Sequence, residues 1–188
     1  MGCCSCRCLF RGSREAPTFE LGVLDSPLVR LDRYGPDVKI ESSATGDAIS
    51  GLGVAYTSTP IEQDAAYWEV HVETDGRFRV GVCRNLDQEA MRKEIGDENS
   101  SWALRSEDAG AVEGDVIGVA FGQAELPNLS FFLNGELLDH GQVNRIRGEV
   151  FPAACVDSAK LRCVFDEANF EHAPPRTHTA IRVTQNII

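Results

Sequence analysis

The chain is short of positive charge. Eighteen lysines and arginines face 29 aspartates and glutamates, a formal net charge of −11. Binding nucleic-acid phosphates needs a basic footprint, so this composition argues against DNA or RNA as a partner. Long apolar runs are missing as well. None has the length that crosses a bilayer, and the N-terminus lacks the apolar core of a secretory signal. Histidine is scarce: His71, His140, His172 and His178 are the four, and no two stand at metal-ligand spacing. There is no Gly-rich phosphate loop, no G-x-S-x-G and no H-E-x-x-H. Internal repeats are absent, and helical periodicity is nearly so.

Seven cysteines are present and unevenly placed. Cys83, Cys155 and Cys163 lie inside apolar runs, an odd and scattered set that reads as buried free thiols of a reducing compartment. Cys3, Cys4, Cys6 and Cys8 crowd an arm, residues 1–14, that also carries Arg7, Arg11 and Arg14 and no acid. The arm contributes +3 and leaves −14 on the rest. Gly2 stands where N-myristoylation needs it, although Cys6 replaces the usual hydroxyl residue. Cys3 and Cys4 beside it are candidate palmitoylation sites. One myristoyl chain binds membranes with an affinity of only about 10⁴ M⁻¹, so a stable anchor needs a second acyl chain or a basic patch. The arm offers both, with its arginines facing anionic lipid on the cytoplasmic leaflet. Two other readings stand beside this one: a metal site built on the Cys3-x-x-Cys6 spacing, and a plain tail. The metal reading lacks a second ligand pair elsewhere in the chain.

Residues 15–27 read as a linker. After it, short alternating stretches recur about every ten residues. Leu28–Leu31, Asp37–Glu41 and Gly51–Thr57 are predicted strands. Tyr67–Glu73 alternates strictly: Trp68, Val70 and Val72 form a predicted core face, while Tyr67, Glu69, His71 and Glu73 face outward as acidic surface. Asp75-Gly76 turns the chain into Arg77–Cys83. Asn85–Gly96 is the one predicted helix, with Asn85 as cap and Leu86, Ala90 and Met91 as its stripe. Ser101–Arg105 and Val116–Phe121 are further strands. Phe131–Leu133 runs into Asn134-Gly135, the signature of a type I′ hairpin turn. Gly148–Val156 and Lys160–Phe165 are predicted to pair around Asp157-Ser158. Pro174-Pro175 ends the predicted compact part, with Ile181–Thr184 as a tail strand. The pattern predicts an all-β antiparallel sandwich with at most one short helix.

Six motifs in order carry a resemblance: Tyr67-Trp68-Glu69-Val70, Arg79-Val80-Gly81-Val82, Gly114-Asp115-Val116-Ile117-Gly118, Leu129–Gly135, Val150-Phe151-Pro152-Ala153 and Cys163-Val164-Phe165. Together they resemble the SPRY (B30.2-like) domain, a concanavalin A-like jelly roll that binds other proteins. The resemblance spans residues 28–175 and leaves 176–188 as a C-terminal tail. It implies a non-catalytic adaptor with an unidentified protein partner and no cofactor. Family members that capture short peptides carry an apolar–aromatic pair where this chain has Asp157-Ser158, so the fold carries over and the ligand does not.

No catalytic or metal-binding residue is assigned. Cys83 or Cys155 with a histidine, or the pair Glu69 and Glu73, are weaker than their plain readings as core thiols and acidic surface. Contact residues are sought in loops at an end of the sandwich. Tyr34 and Arg105 are chosen as residue types enriched at binding hot spots, and Asp157 and Ser158 for their position. The resulting expectation is a cytoplasmic interaction module, peripheral on the inner face of a membrane. The alternatives are a glycan- or small-molecule-binding sandwich, or a soluble cytosolic domain with a metal-binding N-terminus.

Overall fold

The computed structural model describes residues 28–97, 99–123 and 126–183, and in it two sheets share a single strand. That strand is β3 (Gly46–Thr57). Its first half lies between β2 (Val38–Ser43) and β12 (Lys160–Val164), ending at the Val38 to Gly51 pair. Its second half, from Leu52 on, lies between β1 (Leu31–Tyr34) and β11 (Phe151–Asp157). The switch falls at Gly51, which has φ +103 and sits so close to β2 that a Cβ would stand 2.2 Å from the Asp37 carbonyl oxygen. Only glycine fits such a bend.

The first sheet continues from β11 to β5 (Arg77–Cys83) and ends at β6 (Ser101–Arg105). The second runs from β12 to β4 (Ala65–Thr74), β7 (Val116–Gly122), β8 (Asn128–Leu133) and β10 (Val143–Asn144). The predicted all-β antiparallel sandwich is what the chain forms. Two short additions complete it. β9 (Glu136–Leu137) makes the hairpin with β8, and β13 (Thr179–Ala180) joins β4 as the one parallel pair of strands among the described residues. The single α-helix described is α1 (Ser106–Ala109). No helix among the described residues is long and apolar enough to cross a membrane.

The core lies between the sheets. Trp68, Val70 and Val72 of β4 bury inward with Ile117, Val119, Phe121, Leu129 and Phe131, against Phe78, Val80, Val82, Leu104 and Val156 from the first sheet. Each fully buried aliphatic or aromatic side chain stabilises the fold by about 1.5–3 kcal/mol. The hairpin turn forms as its dipeptide predicts, with φ of 50° at Asn134 and 82° at Gly135. Asn134 also fastens the hairpin to the neighbouring strand: its Oδ1 accepts from the Val116 N–H at 2.9 Å, and its Nδ2 donates to Asp115 at 2.9 Å.

Four local expectations change. Strand β1 starts at Leu31, because Arg30 turns its guanidinium to the buried Asp47 (3.0 Å), which also accepts from the Leu31 N–H. The predicted helix at 85–96 reduces to one 3-10 turn, Ala90–Arg92. Asn85 does not cap it; its side chain binds Arg33 and the Tyr56 hydroxyl instead. β11 and β12 do not pair with each other, since the chain crosses from one sheet to the other between them.

The fourth change concerns Glu69, which is fully buried, and Tyr67 beside it. The segment after β12 folds across this face. Glu69 accepts from the backbone N–H groups of Glu171 (2.7 Å) and His172 (2.8 Å), from the Tyr67 hydroxyl (3.2 Å), and lies 3.2 Å from His71 Nε2. Phe170 packs edge-on against the Tyr67 ring at 5.2 Å. Past Pro174-Pro175 the chain stays bound. The Gln63 side chain donates to the Ala180 carbonyl (3.0 Å) and accepts from the Arg182 N–H (2.8 Å).

Burial alone pushes the Glu69 carboxyl up, but the hydrogen bonds from His71 and the two backbone N–H groups outweigh it, so its pKa lies below the usual value. A carboxyl depressed in the folded state stabilises the fold above its unfolded pKa, about 4.3, and that contribution is lost as pH falls through the folded value. Replacing Glu69 with Ala leaves two backbone N–H groups and a phenol without their acceptor, a cost of about 3 kcal/mol. Urea unfolding should show that loss at pH 7. The difference from wild type should shrink as pH falls below 4, and an unchanged midpoint at pH 7 would show that the clamp contributes nothing.

Candidate interaction surface

The outer face of the first sheet is not open to solvent along its length. Residues 85–97 lie across it as a lid and form a second, smaller core. Met91 and Ile95 pack onto Val54, Tyr56, Cys83, Phe151, Ala153 and Cys155, with Leu86 and Ala103 at the margin. Arg33 pins the near end of the lid, bonding Asn85 at 2.8 Å with its guanidinium stacked over Tyr56 and Phe151. Arg79 pins the far end through Glu94 and the Ile95 carbonyl (2.9 Å). Asp97 then closes the loop. It accepts from the backbone N–H groups of Asn99, Ser100 and Ser101 and from the Ser100 and Ser101 hydroxyls; despite the opposing effect of burial, the bonds from the Ser100 N–H and hydroxyl, the Asn99 N–H and the Ser101 hydroxyl hold its carboxyl down at about 2.

Beyond the lid, a pocket of about 150 Å³ opens where the chain crosses between sheets. Arg77, Arg79, Glu94, Arg105 and Asp157 line its wall, with Cys155 at its base. Arg77 pairs with Asp157. Arg105 has no carboxylate partner among the described residues and is exposed. Ser158 adjoins the pocket with φ +69, its hydroxyl donating to Asp157 at 3.1 Å. The structure therefore brings three of the four chosen contact residues together: Arg105, Asp157 and Ser158. Tyr34, 47% exposed, stands apart. It is on β1, at the opposite edge of the five-strand sheet from Arg105 on β6, about 19 Å away by strand spacing.

Arg77 and Arg79 were not singled out from the sequence. The alternation of β5, which puts Phe78, Val80 and Val82 inward and both arginines on the other face, was the available signal. Gly2, Cys3, Cys4, Arg7, Arg11 and Arg14 lie outside the described residues.

Burial pushes the Cys155 thiol up to about 11 and Cys83 up to about 12, so both are protonated at neutral pH and poor nucleophiles. Cys163, fully buried, is also raised, and none of the three is in a disulfide. Among the described residues no group of three or more His, Cys, Asp or Glu side chains has the geometry to hold a metal ion.

A sequence model of the SPRY domain matches residues 65–168, more than half of the chain. The chain belongs to the SPRY domain family. Over 203 aligned residues it is 30% identical to SPRY domain-containing protein 7 of Bos taurus, covering 96% of each chain. It is 29% identical to the Gallus gallus protein of the same name over 197 residues, again with 96% of each covered. A solved human SPRY domain aligns with a TM-score of 0.49 and 18% identity, covering 68% of this chain and 96% of that one. A SPRY domain is a protein-interaction module. In this SPRY domain the matched segment runs from β4 through β12 and so includes every wall of the pocket.

The lid's attachment is testable. Ile95, with almost no exposed surface, should cost about 2–4 kcal/mol when cut to Ala, by lost burial and the cavity left behind. Hydrogen exchange should then rise across 86–97 before it rises in β4 or β7. Uniform loosening of both sheets would mean that the lid and the main core unfold as one.

Proposed function

We propose that this SPRY domain is a non-catalytic adaptor, held on the cytoplasmic face of a membrane by an acylated N-terminal arm. The observation that carries the interaction role is membership of the SPRY domain family, matched over residues 65–168. The partner surface is the crossing corner, where Arg105, with no ion-pair partner among the described residues, stands near Asp157 and Ser158. Tyr34 is a separate contact at the far edge. Protonated, buried thiols support the non-catalytic reading. The membrane role is supported by the arm's composition: Gly2 for myristoylation, Cys3 and Cys4 for palmitoylation, and Arg7, Arg11 and Arg14 for anionic lipid.

Two experiments test the two halves. Cells expressing wild type, Gly2→Ala and Cys3→Ser/Cys4→Ser should show wild type in the membrane fraction and both variants in the soluble fraction. A Gly2→Ala protein that stays on the membrane removes the anchor. For the surface, Arg105→Glu should lose the proteins that proximity labelling finds around wild type. It should keep its urea midpoint within about 0.5 kcal/mol, as an exposed substitution does. Retention of the whole labelled set would move the partner surface elsewhere.

A further inference from the structure

A second cleft lies at the opposite end of β5 and β6, between the two outermost strands of the sandwich. Its volume is about 480 Å³, within the range of about 300–1,000 Å³ typical of ligand clefts. Arg84 and Trp102 form one wall, Asn144, Arg145 and Arg147 the other, and Asn99 closes one side. Among the described residues no acidic side chain lines it. On a chain of net charge −11 this is unusual.

Five of the nine other arginines among the described residues are neutralised in place. Arg30 pairs with Asp47, Arg77 with Asp157, Arg79 with Glu94, Arg92 with Asp37 and Arg162 with Glu73. Arg84, Arg145 and Arg147 have no such partner among the described residues. Arg84 is held by other means. Its guanidinium lies 5.6 Å from the centroid of the Trp102 ring and donates twice to the Arg147 carbonyl, at 2.8 and 3.1 Å. Arg145 has φ +66, a backbone conformation that non-glycine residues rarely adopt. Three arginines thus line one recess, with the Arg84 guanidinium fixed before any ligand arrives. An incoming carboxylate or phosphate relieves their mutual repulsion and gains charge-assisted hydrogen bonds.

We propose that this cleft binds an extended acidic peptide. A lone anion leaves most of its volume unfilled. The side-chain amides of Asn99, Gln142 and Asn144 offer both donors and acceptors to a peptide backbone. Among the described residues, strands β6 and β10 end their sheets and each leaves one edge without a strand partner, the setting in which an extended segment adds on. The chain's net charge of −11 repels the long polyanion of a nucleic acid more than a short peptide, and the cations line a recess and not a face that lies flat on a membrane. The site shares no residue with the corner around Arg105, so it stands or falls apart from that surface.

The test uses the full chain and a fluorescent short peptide alternating Glu and Thr, followed by anisotropy. Binding should be saturable, weaken with added salt, and be absent for a Lys–Thr peptide. R145E/R147E should bind at least about tenfold more weakly while unfolding at the wild-type urea midpoint. R147Q, a milder change, should give a partial loss and guards against a misfolded double variant. Absence of saturable binding overturns the proposal, as does an R145E/R147E protein that binds like wild type. So does tighter, R145E/R147E-sensitive binding to single-stranded DNA or to phosphatidylserine vesicles than to the peptide.

Discussion

The bend of β3 at Gly51 sets how the two sheets meet. Three later crossings between the sheets gather at the corner where β3 bends, while the chain crosses at the other end from β3 to β4 and from β10 to β11. β4 passes to β5 through Asp75-Gly76, and β11 passes to β12 through Asp157-Ser158. The two crossings touch, in an isolated bridge between Arg77 and Ser158. β6 passes to β7 through α1, whose Ser106 hydroxyl accepts from the Phe78 N–H at 3.3 Å. Such a corner cannot be covered by a further strand, because the backbone there changes direction. A pocket lined by Arg77, Arg105 and Asp157 is the outcome of that topology.

The other face is organised by a polar group. Glu69 sits in a strand whose alternation points it away from the core, yet the chain after β12 returns to bury it. A buried carboxylate is costly unless its oxygens are hydrogen-bonded. Here both are, by two backbone N–H groups, a phenol and an imidazole. The phenol in turn is pushed up by burial and by the Glu69 charge, so it remains a donor. The neighbouring Glu73 lies nearer the surface and pairs with Lys160 and Arg162. Two carboxylates on one strand face thus do different work.

What the sequence made legible was local. Period-two alternation marked β4, β5 and β7, and Asn134-Gly135 marked its turn, because each depends only on neighbours in the chain. The family resemblance supplied the sandwich as a whole. Contacts between distant segments were not legible. Nothing near Glu69 announces Glu171 and His172, which come about a hundred residues later. The 85–97 stretch has a thin helical stripe, but burying Met91 and Ile95 flat against the sheet outweighs a propensity of a few tenths of a kcal/mol per residue. Arg105 stands out by residue type and Asp157 by position, and only the crossing topology makes them neighbours. Tyr34 was chosen by residue type, which says nothing about which edge of a sheet it occupies.

The lid also divides the buried thiols by depth. Cys83 and Cys155 belong to the small core beneath residues 85–97, with the Cys155 thiol 3.8 Å from the Lys93 carbonyl oxygen. Cys163 belongs to the main core between the sheets. A thiol reagent reaches the first two when the lid lifts and the third only when the sandwich itself opens. The molecule therefore carries two internal clocks. The rates at which these cysteines are trapped read, on the same chain, how often the surface layer peels back and how often the whole fold comes apart.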